Sequence, residues 1–154
     1  MMEYVPGMPP LRSYDTSFVI VVGRAATYTV PFVGWMPIPF LKLVIPQDAE
    51  FFDGPGNKLR NGTTVQVTLS IDREYAALSF GPHGSLFMGK QPAVLYLNYY
   101  FLDLDGEAPT AASVLYQPAS GGAWTPQPTV VDLLHWWLVT PIYHFSNYAV
   151  AYRH

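Results

Sequence analysis

The chain has 154 residues, enough for one domain with a sizeable core. Half of them are hydrophobic, 16% are aromatic and only 12% are charged; the net charge of −3 comes with eight scattered Lys and Arg residues, so no basic stripe exists to neutralise nucleic-acid phosphates. With no cysteine, disulfides and thiolate zinc sites are excluded, while fifteen prolines and twelve glycines cut the chain into segments that suit strands and turns better than a helical bundle.

The opening residues Met1 to Gly7 lack the basic region and uninterrupted apolar run of a secretory signal. Met8-Pro-Pro-Leu11 and the segment from Val30 to Phe40 are apolar and proline-punctuated, which favours extended backbone before each proline. Residues 1–39 therefore read as a proline-rich N-terminal arm carrying the first strand, Ser17 to Val22, and residues 40–154 as the sandwich. The arm has two readings. It wraps the sandwich and covers aromatic strand faces, or it docks on another protein or at a membrane interface through Phe32, Trp35, Met36 and Phe40. On the docking reading its first sixteen residues are dispensable for folding. The uncharged stretch from Ala25 to Leu41 is interrupted by Pro31, Pro37 and Pro39 and falls short of the roughly 20 residues needed to span a bilayer.

Phe40 to Ile45 is the next strand, ended by Pro46. Turns at Asp53-Gly-Pro-Gly-Asn57 and Asn61-Gly62 lead into the clearest strand of all. There Val65, Val67, Leu69 and Ile71 alternate with Gln66, Thr68, Ser70 and Asp72, which puts the four aliphatic side chains on one core. Val94 to Phe101 is apolar on both faces, so its outer face needs cover. Beyond a turn at Asp105-Gly106, Ser113 to Tyr116 is a short strand, and Ser120-Gly-Gly122 turns the chain towards Trp124. Thr129 to Asp132 has capping-box spacing, but Pro128 and Pro141 leave little room for a helix, and Trp136, Trp137 and Val139 favour a strand over His135 to Val139. Tyr143 to Tyr152 is the last strand. Seven to nine strands at this spacing define an all-β, antiparallel β-sandwich with an extended N-terminal arm.

The sharpest chemical question lies at His144-Phe145-Ser146. In a strand, residues 144 and 146 face the same side, which brings an imidazole base towards a hydroxyl nucleophile; attack of Ser146 Oγ on the Phe145 carbonyl would cut the backbone. A regular trans strand places that hydroxyl poorly, and cleavage needs local strain and an oxyanion donor. The structural alternative buries Phe145, hydrogen-bonds His144 and Ser146 on the opposite face, and makes no residue catalytic. His135, His144 and His154 lack metal-ligand spacing, and Asp103, Asp105 and Glu107 read as a solvated turn rather than a calcium loop. There is no phosphate-binding glycine loop and no Gly-x-Ser-x-Gly elbow. No metal or cofactor is expected.

Taken in order, Leu41-Lys-Leu-Val-Ile-Pro46 with Ala49, Phe80-Gly-Pro-His-Gly84 followed by Phe87, Pro92-Ala-Val-Leu-Tyr-Leu97, Trp124 and His144-Phe-Ser-Asn-Tyr148 resemble the ZU-five domain. That β-sandwich module occurs in zonula occludens and netrin-receptor proteins, ankyrins, death-domain adaptors and bacterial surface proteins. The resemblance runs from Phe40 to Tyr152 and departs from the family in the aromatic arm and in the insert Asp103 to Pro109. It implies that Gly81, Pro82 and Gly84 form a structural turn, with His83 a turn residue, and it favours a bacterial periplasmic or cell-surface location. Some relatives self-cleave between the Phe and Ser of the same tripeptide. The expectation is a non-enzymatic protein-interaction or structural module, an accessory subunit whose partners are other protein chains, a second copy of itself included. The alternatives are a self-processing domain that cuts Phe145-Ser146, and a carbohydrate-binding sandwich that uses Trp35, Trp124 and tyrosine clusters as stacking platforms.

Overall fold

Short alternating segments separated by glycine and proline turns give a chain of strands, and the computed structural model describes it over residues 1–7, 9–34, 39–81, 86–89, 91–118 and 121–152. The strands are β1 (Asp15–Val21), β2 (Ala26–Val30), β3 (Leu41–Ile45), β4 (Phe51–Asp53), β5 (Thr64–Ile71), β6 (Ala77–Gly81), β7 (Leu86–Met88), β8 (Ala93–Asn98), β9 (Ala112–Gln117), β10 (Thr125–Pro126), β11 (Val130–Asp132), β12 (Trp137–Ile142) and β13 (Asn147–Tyr152). Two antiparallel sheets pack as a sandwich, one of order β1-β5-β6-β13-β9-β10 and one of order β11-β12-β8-β3-β2; β4 and β7 form a separate pair. The all-β sandwich expected from the sequence is the fold.

The strict alternation of β5 appears as burial: Val67, Leu69 and Ile71 are enclosed while Thr64, Gln66, Thr68 and Ser70 are exposed. In the other sheet, cross-strand register lines up Val30, Leu41, Leu97 and Leu138 on one inward row, and Tyr28, Leu43, Leu95 and Thr140 on the next. Pro141 is tolerated inside β12 because β11 reaches only as far as Val139, so β12 is an edge at that point.

The arm is structural. Strands β1 and β2, both before Phe40, enter different sheets, pairing with β5 and β3 respectively. Met2 donates its N–H to the Val150 carbonyl and accepts from Ala76 N–H, both at 2.8 Å, and its side chain is fully buried with that of Leu11. Phe32, Phe40 and Tyr4 close one end of the sandwich, with ring centroids 5.9 Å apart for Phe32–Phe40 and 5.7 Å for Tyr4–Phe40. The docking role expected of Phe32 and Phe40 is therefore overturned, since both are core residues. Within the first sixteen residues, expected to be dispensable, Met2 and Leu11 are part of the core. Trp35 and Met36 lie outside the described residues.

Between β11 and β12 the capping signal makes a turn rather than a helix. Asp132 Oδ1 accepts the N–H groups of Leu134 and His135, each at 3.1 Å, as a helix cap would. Trp136 then takes a φ of 61°, which no helix can propagate, and β12 starts at Trp137 instead of the expected His135.

Candidate functional site

The tripeptide His144-Phe145-Ser146 lies outside both neighbouring strands. Strand β12 belongs to the five-stranded sheet and β13 to the six-stranded one, so residues 143–146 carry the chain across the sandwich. At that crossing Phe145 and Ser146, adjacent in sequence, are both buried, at 0% and 1% exposure. Phe145 meets Phe80 with ring centroids 5.4 Å apart. The Phe80 N–H donates to the Ser146 carbonyl at 2.9 Å, and the Tyr148 hydroxyl donates to the His144 carbonyl at 2.6 Å.

His144 points the other way. Its ring is exposed and lies 5.8 Å from that of Tyr116, beside a recess of about 370 Å³ lined also by Thr125, Gln127, Tyr143 and Tyr148. The expectation that His144 and Ser146 share one strand face is thus corrected: the histidine is in solvent and the serine is enclosed. Among the described residues no donor reaches the Phe145 carbonyl oxygen, where the charge of a tetrahedral intermediate would develop. Burial pushes the Tyr148 phenol well above its ordinary range, with Tyr116 adding to the shift, so it stays a neutral donor.

Gly81, expected in a structural turn, ends β6 inside the six-stranded sheet, where an added Cβ would stand 2.5 Å from Thr68 Oγ1. Close approach of β5 is what demands glycine there. Pro82 and Gly84 lie outside the described residues. Among the described residues no group of three or more His, Asp or Glu side chains is placed to hold a metal, and no helix is long and apolar enough to cross a membrane.

The outer face of the five-stranded sheet is the feature that sequence reasoning missed. Register places Lys42, Tyr96, Val139 and Val130 in one outward row, and Val44, Val94 and Pro141 in another. Val130 is 68% exposed, and the adjoining turn leaves Leu133 at 59% and Leu134 at 78%. Lys42 Nζ sits 4.1 Å from the Tyr96 ring centroid and 5.5 Å from that of Trp137, so its stem and charge shade part of the aromatic surface. The signal was present in Val94 to Phe101, apolar on both faces, but the cover it called for is only partial.

No family model, curated protein or solved structure matches this chain.

Proposed function

We propose that the chain is a non-enzymatic β-sandwich, ZU-five-like in kind, that acts as a protein-binding subunit of a larger assembly through the outer face of its five-stranded sheet. One observation supports this reading: a contiguous apolar face that includes Val44, Val94, Tyr96, Val130, Val139 and Pro141 and is bordered by exposed Leu133 and Leu134. The occupant is a second copy of the chain. Two charges border this face, Lys42 on β3 and Asp132 on β11, on opposite sides of β8 and β12. They are opposite in sign, and within the chain Lys42 meets aromatic rings rather than a carboxylate. Asp132 is paired with His135 at 2.9 Å within the chain, and a two-fold contact with its axis along the strands brings β3 of each chain over β11 of the other, the elements that carry these two charges.

Sedimentation equilibrium tests the proposal. The purified chain is expected to dimerise at micromolar concentrations, and Val139→Glu is expected to leave a folded monomer by circular dichroism. A wild-type chain that stays monomeric up to about 100 μM, or a Val139→Glu dimer of unchanged affinity, overturns it.

A further inference from the structure

On the opposite side of the molecule, the outer face of the six-stranded sheet carries a groove of about 420 Å³. Register brings Ser70 of β5, Ser79 of β6, Asn147 of β13 and Gln117 of β9 into one row across four strands, about 14 Å long at the usual strand spacing. The row is internally wired. Ser79 Oγ donates to Asn147 Oδ1 at 2.8 Å, Asn147 Nδ2 donates to Gln117 Oε1 at 3.0 Å, and Gln117 Nε2 donates to the Gly122 carbonyl at 2.9 Å. This chain fixes which end of each amide is nitrogen, and leaves Asn147 and Gln117 each one N–H and one carbonyl lone pair for something else. Trp124 walls the groove at the β9 side, Asp72 lies at the β5 side, and on the next row Ala77, paired with Ala149, has a short side chain that keeps the floor low and apolar.

We infer that this groove is a binding site for a neutral saccharide. The lining argues against three competing classes. Among the described residues no lysine, arginine or histidine lines it, so an anion finds no counter-charge there. A wholly apolar ligand would bury the second N–H and the second carbonyl lone pair of Asn147 and Gln117 without partners. A peptide adding as a strand needs free backbone groups at a sheet edge, whereas β6 and β13 are paired on both sides. What remains is a ligand with one apolar face for the indole and floor, and with hydroxyls that both donate and accept along an ordered row of amides. A pyranose has that surface.

The site is independent of the proposed subunit contact, and its test is separate. Neutral tetrasaccharides of glucose, mannose, galactose and xylose, each offered up to about 10 mM, are the probes for saturation-transfer NMR and calorimetry. At least one is expected to bind, and Trp124→Ala and Gln117→Leu are each expected to weaken it about tenfold or more while the melting temperature changes little. Val139→Glu, on the other sheet, should leave saccharide affinity unchanged. Absence of binding by all four probes overturns the inference, as does binding that survives both groove variants. A melting temperature that collapses in Trp124→Ala passes the decision to Gln117→Leu, which keeps the side-chain volume and removes only the amide.

Discussion

Phe80 and Phe145 are joined twice over: their rings pack 5.4 Å apart in the core, and the Phe80 N–H bonds the carbonyl of Ser146, the residue after Phe145. Side chain and backbone of one residue thus fix the chain at the point where it crosses between sheets. Phe145→Ala should cost about 3–5 kcal/mol, because the ring is fully enclosed and packs on Phe80. Denaturant unfolding measures it, and a loss below about 1 kcal/mol would place Phe145 outside the packed core.

The Phe145-Ser146 bond is expected to stay intact. The histidine is exposed, the serine is buried, and the carbonyls on either side are held by Tyr148 and Phe80. A denaturing mass measurement should give a single chain of 17.2 kDa. A fragment ending at Phe145, abolished by Ser146→Ala and insensitive to protease inhibitors, would establish self-processing instead.

Tyr4 carries a cost that substitution can remove. Its hydroxyl is buried without a hydrogen-bond partner among the described residues, and burial, then Asp72, then Tyr14 drive its phenol above the ordinary range. Tyr4→Phe keeps the ring contact with Phe40 and should be neutral or stabilising by up to about 1 kcal/mol. A loss of that size would show that the hydroxyl is bonded in solution.

Met2 measures the arm. Its side chain is buried and its backbone bonds both Val150 and Ala76, so Met2→Ala should destabilise by about 2–5 kcal/mol. A change under about 0.5 kcal/mol, as for an ordinary surface substitution, would return the arm to the role of a detachable tail.

Asp132 gives the turn between β11 and β12 a pH dependence. The side-chain hydrogen bond from His135, 2.9 Å away, is the main cause that lowers its carboxyl pKa, with burial opposing. A carboxyl lowered on folding contributes stability above its unfolded value and loses it as pH falls through the folded one. The stability difference between wild type and Asp132→Asn should therefore shrink as pH falls below about 4. A difference that stays flat down to about pH 2 would mean that the carboxylate charge plays no part.

Local rules were readable wherever one face alternated. Val65 to Ile71 announced β5 because each second residue could be assigned inward without knowing any partner strand. Asp132 was readable as a cap, yet what followed depended on Trp136 adopting a positive φ, which no local residue pattern announces. His144-Phe145-Ser146 reads as strand by composition, and only the fact that β12 and β13 join different sheets turns it into a crossing. The aromatic arm showed its apolarity but not its destination, since exposed and buried phenylalanines look alike in sequence. The row from Ser70 to Gln117 was invisible for a further reason: its members are spread over 78 positions and become neighbours only through register.

Strand β13 lies between β6 and β9, in the middle of its sheet, yet it is the last strand in chain order. During vectorial synthesis, β1, β5 and β6 on one side and β9 and β10 on the other therefore wait as two half-sheets with bare facing edges, and those edges are templates for wrong pairing until β13 leaves the ribosome. Met2, which bonds Val150 within that same strand, must wait as well. Residues near either end of this sequence are thus docked through one strand, so a nascent chain stalled before Asn147 is an aggregation hazard rather than a partly finished sandwich.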